Sequence, residues 1–279
     1  MNYVSQILSY ISGTPDITEI YLVPKAPPLD RKNGKLIRIM DAVLTSEDVR
    51  DTLLALRSYT SPTLGPLGSE GTFSFGIHNV GRLRVSYITQ RGSYVVKIVK
   101  TPYEVPSLEK LCSDPKTVQH LDQLVRIHFC GILLVFGANP VRVSTFVYSA
   151  LQYVSRNYQK VILILEKPLS FLLRHDKSVI IQREVGIDTP TFEEGLKDVA
   201  YINPDIVYVA YGEILPDEDV FHIVKVAQLN TLVIFYSPYM NEEAVFKSFE
   251  KHKRIVKAVI KVEQAPEEKL HVIITNTLS

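Results

Sequence analysis

One segment of the chain has the residue types and spacing of a phosphate-binding loop. An apolar run at 132–136 leads to Gly137, and Ser144 and Thr145 then open a stretch with apolar residues at helical spacing. The pattern for such a loop is G-x-x-x-x-G-K-S/T, in which backbone N–H groups wrap the phosphates, the lysine reaches the terminal phosphates and the hydroxyl holds Mg²⁺. Gly137 and Ser144 have the required separation. An ordinary strand, glycine turn and helix gives the same separation by chance, so both interpretations stay open from these residues alone.

Two positions of this pattern are altered. The second glycine is Arg142 and the lysine is Val143. Losing one charge-assisted hydrogen bond, worth roughly 1.5–3 kcal/mol, weakens phosphate binding about tenfold or more. Pro140 also removes an N–H donor. Arg142 offers one way to keep the charge, since a guanidinium suits the geometry of a phosphate group.

Two acidic residues follow apolar runs farther along the chain. Glu166 ends the run at 161–165, and Glu213 follows the run at 206–211. At strand ends they could orient a water molecule or a Mg²⁺ shell in phosphoryl transfer. Taken singly, each is more often a solvated loop carboxylate.

The second half of the chain predicts an α/β domain whose mostly parallel sheet would place these residues at one edge. Its apolar runs lack alternation, as expected for strands buried on both faces. Helical stretches at 144–156, 192–200, 217–228 and 242–252 separate several of them, which indicates right-handed crossovers. Segments 255–262 and 270–275 predict a closing hairpin at one edge. In such a sheet, ligands bind beyond the carboxyl ends of the strands.

The first half predicts a small α+β domain at 1–100. A helix opens this domain, and a strand opens at Ile17, Ile20 and Leu22. Pro27-Pro28 then predicts an extended link, Asn33-Gly34 a hairpin turn and 35–40 a returning strand. A helix after Ser46 and three strands between 72 and 99 complete a pattern that favours an antiparallel sheet with helices on one side. Pro102 and Pro106 bracket a linker at 101–106. The α/β domain would then occupy 107–279.

Composition excludes several classes of function. A net charge of +1 gives no reason to expect nucleic acid as a partner. The two cysteines, Cys112 and Cys130, do not make a metal site, and reduced thiols are expected. No secretory signal and no apolar run of about 20 residues is present, so we expect a cytoplasmic protein that is not integral to a membrane.

The order of motifs resembles the hexameric motor ATPases of secretion systems and type IV pili, in particular the PilT-like ATPases. The stretch IIQREVGIDTPTFEEGLKDVAYINPDIV at 180–207 is similar to the family's Q-R-E-V, D-T, F and P-D-I series. GILLVFGANPVRVST at 131–145 looks like its Walker A segment, and ILEKPLSF at 164–171 looks like its acidic box. In the front half, F-S-F at 73–75 and R-L-R-V at 82–85 also match, so the resemblance runs over nearly the whole chain.

The resemblance implies a PAS-like N-terminal α+β domain and a RecA-like P-loop ATPase-type domain with a degenerate Walker A, ending near where the family's C-terminal helical part would begin. It assigns Glu166 and Glu213 to catalysis, and it makes Ser144 a Mg²⁺ ligand if the metal binds; no metal site is otherwise expected. The nucleotide-binding positions are Gly137, Arg142, Ser144 and Thr145. The subunit-interface positions are Arg82, Arg84 and Arg91.

The departures from the family fall on chemical positions. Besides Val143, the family's histidine box falls on Tyr236-Ser237-Pro238-Tyr239, and the Walker B Gly-Glu aligns with Gly212-Glu213 only across a two-residue gap. Without the gap, the Glu position is Tyr211. The favoured hypothesis is therefore a catalytically inactive structural or regulatory component of a pilus, twitching-motility or secretion machine.

Two alternatives remain from the sequence. One is an active ATP-hydrolysing hexameric motor with a non-standard phosphate loop, and the other is a module that binds nucleotide without hydrolysing it. ATP and Mg²⁺ are the cofactors only if the site works. The expected partners are a second copy, an active motor-ATPase paralogue or inner-membrane platform proteins, which would give a peripheral position at the inner membrane.

Overall fold

A computed structural model describes residues 1–14, 18–32, 35–60, 65–78, 80–101, 104–127, 130–265 and 269–277. The chain divides into two compact units, Met1–Glu104 and Val105–Ser279. The predicted linker at 101–106 includes residues 102 and 103, which lie outside this description. The two units are treated separately below.

The first unit is a six-stranded antiparallel sheet with two helices. Its strands are ordered β3-β2-β1-β6-β5-β4, and apolar residues of both helices share one core with one face of the sheet. The elements are α1 (Val4–Ser12), β1 (Thr18–Leu22), β2 (Leu29–Lys32), β3 (Lys35–Arg38), α2 (Ser46–Arg57), β4 (Glu70–Ile77), β5 (Gly81–Gln90) and β6 (Ser93–Thr101). The sequence predicts two strands before α2 and the structure has three, because β2 begins directly after Pro27-Pro28, where an extended link is predicted. The predicted turn at Asn33-Gly34 lies outside the described residues.

A capping box fixes the start of α2. The Thr45 hydroxyl accepts a hydrogen bond from the Asp48 amide, and the Asp48 carboxylate accepts one from the Thr45 amide at 2.8 Å. The cap is thus Thr45, one residue before the predicted Ser46. These hydrogen bonds, first of all the one from the Thr45 backbone, lower the pKa of Asp48 to about 2.

The second unit is a mixed α/β fold with a mostly parallel sheet, as predicted. The strand order is β13-β12-β7-β11-β10-β8-β9, and only β13 runs antiparallel to its neighbour. The strands are β7 (Gly131–Phe136), β8 (Val161–Glu166), β9 (Val179–Glu184), β10 (Ile206–Ala210), β11 (Leu232–Tyr236), β12 (Val256–Gln264) and β13 (Leu270–Asn276).

Helices cover both faces of this sheet, and each face has its own apolar core. The helices are α3 (Leu108–Leu111), α4 (Lys116–Ile127), α5 (Pro140–Asn157), α6 (Phe192–Lys197), α7 (Val199–Ile202), α8 (Asp217–Gln228) and α9 (Glu242–Phe249), followed by a 3₁₀ helix at Glu250–Ile255. Helix α5 packs on one face and α8 on the other. In the described part of the chain, none of the helices combines the length and apolar character needed to cross a bilayer.

Three helical predictions need correction. Helix α5 begins at Pro140, a full turn before the predicted Ser144. The stretch at 192–200 forms two short helices that meet at Asp198. Helix α4 is absent from the sequence prediction, although Thr117, Leu121 and Leu124 supply a buried face.

Replacing Asp48→Asn tests the capping box. The pKa of Asp48 is lowered in the folded state, so its stabilising contribution is present above the unfolded pKa and is lost as pH falls towards 2. We expect the wild type to lose more stability than the variant between pH 5 and about 2. Urea unfolding of both proteins across this range measures the difference, and parallel pH profiles would contradict the assignment.

Candidate functional site

The carboxyl ends of the parallel strands place the predicted site residues at one edge of the second unit. Strand β7 lies between β11 and β12, and β10 lies between β11 and β8. The connections after β7, β8, β10 and β11 therefore emerge along the same edge, where ligands bind in open α/β sheets. The connection between β7 and α5 contains the predicted phosphate loop.

The first turn of α5 is capped by the chain itself. The Asn139 Oδ1 atom accepts hydrogen bonds from the Val141 amide at 3.0 Å and the Arg142 amide at 3.3 Å. The Val143 amide donates to the Asn139 carbonyl at 3.1 Å. Pro140, at the first helical position, has no N–H to offer. The backbone donors that a phosphate would take at this helix end are thus already engaged.

Val143 fills the space beside Gly137. Its side chain is fully buried and belongs to the core on the α5 face of the sheet. A Cβ atom at Gly137 would lie 2.5 Å from Val143 Cγ2 and 2.7 Å from the Val262 carbonyl oxygen. Gly137 is therefore required for close packing of the loop against Val143 and Val262.

The other three predicted nucleotide-binding residues are also held by contacts or burial within the protein. Arg142 donates from Nη1 to Oε1 of Gln264 at the end of β12. The Thr145 hydroxyl donates to the Val141 carbonyl at 2.8 Å, one turn back in the helix. The Ser144 side chain is buried.

Glu166 is a buried carboxylate with several donors. The Tyr148 hydroxyl and the Ser170 amide donate to Oε2 at 2.5 and 2.7 Å, and the Ser170 hydroxyl donates to Oε1 at 2.6 Å. Its side chain is only 5% exposed. These contacts tie the end of β8 to α5 and to the loop that follows β8.

Glu213 lies in a different environment. Its side chain is 53% exposed and forms an ion pair with Lys167 at 2.6 Å. The neighbouring Tyr211 is buried, donates to the Asp219 carboxylate and stacks on Phe192 with ring centroids 4.3 Å apart. The structure thus separates the two predicted carboxylates, one in the core and one in a solvated loop.

A cluster of buried tyrosines below the loop was missed from the sequence. Tyr148 of α5, Tyr208 of β10 and Tyr236 of β11 all belong to the core on the α5 face. The Tyr148 ring lies 5.9 Å from that of Tyr208. Burial raises the pKa of Tyr208 and Tyr236 above the usual value. In the described part of the chain, neither of these two hydroxyls has a hydrogen-bond partner. In the sequence, the signal for this cluster is the presence of a tyrosine in each of the otherwise apolar runs that form β10 and β11.

The Q-R-E-V motif at 182–185 holds neighbouring segments in place. The Gln182 side chain accepts from the Leu173 amide at 2.7 Å and donates to the Phe171 carbonyl at 2.8 Å. Arg183 forms an ion pair with Asp198 at 2.8 Å. Both residues therefore position connections at the β8–β9 side of the sheet.

The three predicted interface arginines lie on β5 and its following turn in the first unit. Burial alternates along β5, so Arg82 and Arg84 share the face opposite the core. Arg82 donates to Ser74 Oγ at 2.6 Å. Arg84 forms no ion pair within the described residues. Arg91 has φ of 51° and Gly92 has φ of 76°, as a tight hairpin turn requires.

Among the residues with a described position, no group of three or more His, Cys, Asp or Glu side chains is arranged to hold a metal ion. Both cysteines are free thiols, and burial raises the pKa of Cys112 to about 12.

Sequence relatives of the chain are ATPases and motility proteins of type IV pili. The type IV pilus ATPase PilU of Pseudomonas aeruginosa is 26% identical over 217 residues, covering 78% of this chain and 55% of the relative. A twitching motility protein of Neisseria gonorrhoeae is 28% identical, covering 81% and 59%. The retraction ATPase PilT of Pseudomonas aeruginosa is 25% identical, covering 82% and 64%. Each match thus spans less than two thirds of the relative. No protein-family model matches the chain.

A solved structure of the pilus retraction motor PilT with bound ADP has the same fold. Its TM-score is 0.78 at 23% identity, and the match covers 100% of this chain and 84% of that one. The DotB ATPase of Legionella pneumophila has a TM-score of 0.68 at 16% identity, covering 96% and 78%. The predicted resemblance to PilT-like pilus and secretion ATPases is confirmed.

Replacing Asn139→Ala tests the cap of α5. Removal of the side-chain acceptor leaves two helix-end amides without it, and we expect a loss of about 1 kcal/mol in the free energy of unfolding. Asn139→Asp keeps an acceptor and serves as the matched control. If urea unfolding gives equal stability for the alanine variant and the wild type, Asn139 does not engage these amides in solution.

Replacing Glu166→Gln tests whether this carboxylate is a structural anchor. Its amide group cannot accept from all the donors of the carboxylate, so we expect a loss of about 2–3 kcal/mol in unfolding free energy. Glu213→Gln removes an exposed ion pair and should cost about 1 kcal/mol or less. Chemical denaturation of the two variants makes the comparison, and a cost at Glu166 no larger than at Glu213 would argue against the anchor.

Proposed function

We propose that the chain is a catalytically inactive, PilT-like component of a type IV pilus or secretion machine, and that it acts through assembly. The main support for this proposal is the closed first turn of α5. There Asn139 accepts hydrogen bonds from the helix-end amides, and Val143 fills the space beside Gly137. The similarity to PilU and PilT supports the machine class.

We expect no ATP hydrolysis because this chain lacks groups that phosphoryl transfer requires. Enzymes of this kind work by positioning the phosphates and neutralising their charge, with little other chemistry supplied by the protein. Here the lysine position is the buried Val143, and the strand-end carboxylate Glu166 already accepts hydrogen bonds from Tyr148 and Ser170. Loss of several such groups together costs orders of magnitude in rate.

ATP and Mg²⁺ do not fit the α5 end in this arrangement. A phosphate would have to displace Asn139 from two amides, and it would meet no lysine. The alternatives, an active motor or a nucleotide holder, would use Gly137, Arg142, Ser144 and Thr145 for the phosphates. The Arg142 contact with Gln264 and the Thr145 contact with Val141 weigh against both.

The proposed assembly is a homo-oligomer or a mixed complex with an active motor-ATPase paralogue, next to inner-membrane platform proteins. In this proposal a PAS-like domain at 1–100 and a RecA-like domain at 107–279, joined by the linker at 101–106, are the two parts of each subunit. Arg82, Arg84 and Arg91 would contribute to the subunit contact. A heterologous contact of this kind can close into a ring.

Phosphate release from Mg-ATP tests the proposal. We expect the purified chain to release no phosphate above background and the Arg142→Ala variant to behave identically, because Arg142 binds Gln264 rather than a ligand. The same samples, mixed with an active PilT-like ATPase from the same cell, should form a complex in size-exclusion chromatography or change that enzyme's rate.

Two results would overturn the proposal. Turnover by the wild type that disappears in Arg142→Ala would support the active motor. A chain that neither associates with itself nor affects an active relative would remove the assembly role. Circular dichroism of each variant serves as the control for folding.

A further inference from the structure

The segments that lead into the parallel strands of the second unit lie together, on the edge opposite the predicted phosphate loop. Strands β7, β8, β9, β10, β11 and β12 run in the same direction, and their first residues are in register, for example Ile206 with Leu232 and Leu232 with Gly131. We call this the amino edge. It consists of residues 126–127, 156–160, 176–179, 201–203, 228–230 and 250–255.

Large apolar side chains protrude from four separate connections of the amino edge. Ile127 is 65% exposed, Val179 is 52%, Tyr201 is 86% and Leu229 is 60%. Ile202 is a further, partly exposed residue beside Tyr201. Because each connection presents only one or two such residues, the edge forms a row of apolar tips rather than one continuous hydrophobic groove.

Basic side chains flank the tips of the central strands, in the segments before β12, β8 and β9. Five exposed cations of the amino edge form no ion pair with any residue whose position is described: Arg156, Lys177, Lys251, Lys253 and Arg254. Two acidic residues of the edge, Asp176 and Glu250, are likewise without an ion pair. The uncompensated charge is therefore about +3, a concentrated excess in a chain whose net charge is +1.

The opposite edge has the reverse character. Helices α6 and α8 begin there with acidic first turns. Glu193 pairs with Lys197, whereas Glu194, Asp217 and Glu218 form no ion pair among the described residues. The second unit is therefore electrically polar along the strand direction. An anionic surface would orient this unit with the amino edge facing that surface.

We infer that the amino edge binds an anionic lipid surface. Apolar tips can enter the headgroup region singly, and the tyrosine ring, apolar with a polar end, suits the membrane–water boundary. The cations that flank these tips would pair with lipid phosphates, each adding to the attraction near an anionic leaflet. This binding needs no nucleotide and is independent of the assembly role proposed above.

Vesicle co-sedimentation of the full chain tests the inference. We expect binding to vesicles of phosphatidylcholine with about 30% phosphatidylglycerol, weak binding to phosphatidylcholine alone, and a loss of affinity as salt rises. The triple variant Lys251→Glu, Lys253→Glu, Arg254→Glu should bind about tenfold more weakly or worse. Tyr201→Ala with Leu229→Ala, which keeps the charge, should weaken binding about threefold or more.

A matched control keeps the change in net charge constant. Lys110→Glu, Lys116→Glu, Lys269→Glu reverses three exposed cations near the start of β13, at the opposite edge of the sheet, and should bind like the wild type. Equal losses in the two triple variants would overturn the inference in favour of general electrostatic attraction. Self-association that the amino-edge variant abolishes, with no vesicle binding by the wild type, would overturn it in favour of a second copy as partner.

Discussion

The backbone amides at the start of α5 can serve either the helix or a phosphate, and the rest of the site depends on which they serve. In this chain Asn139 accepts from two of them, and the helix begins a full turn before the residue that the loop pattern predicts. That extra turn draws Val143 into the core against Gly137. A phosphate could therefore reach these amides only by displacing the Asn139 side chain.

The core that packs against α5 is consistent with the closed first turn of that helix. Phenol rings of Tyr148, Tyr208 and Tyr236 fill the α5 face of the sheet near its carboxyl edge. Burying such a ring contributes roughly 1.5–3 kcal/mol, whereas leaving its hydroxyl without a partner costs about 1–3 kcal/mol. The two effects nearly cancel for Tyr208 and Tyr236. Glu166 is buried in this core, where Tyr148 and Ser170 donate hydrogen bonds to its carboxylate.

The sequence predicts the periodic and long-range features well. The buried runs of the parallel sheet, the helix at Asp217–Gln228 and the antiparallel pair β12–β13 at one edge all follow from apolar periodicity and turn residues. It predicts the site less well, because burial depends on contacts between distant residues. The Tyr148 contact with Glu166 has no local signal, whereas Asn139 followed by Pro140 is a local signal for the start of a helix. The match to the phosphate-loop pattern hid the cap, since it favoured a helix beginning at Ser144.

Equilibrium titration of the full chain with a fluorescent ATP analogue in the presence of Mg²⁺ tests the central claim most directly. Closure of the α5 turn predicts no saturable binding up to millimolar nucleotide, for the wild type and for Asn139→Asp alike. Saturable binding at micromolar nucleotide would contradict it, since the amides engaged by Asn139 would then be available to a phosphate group.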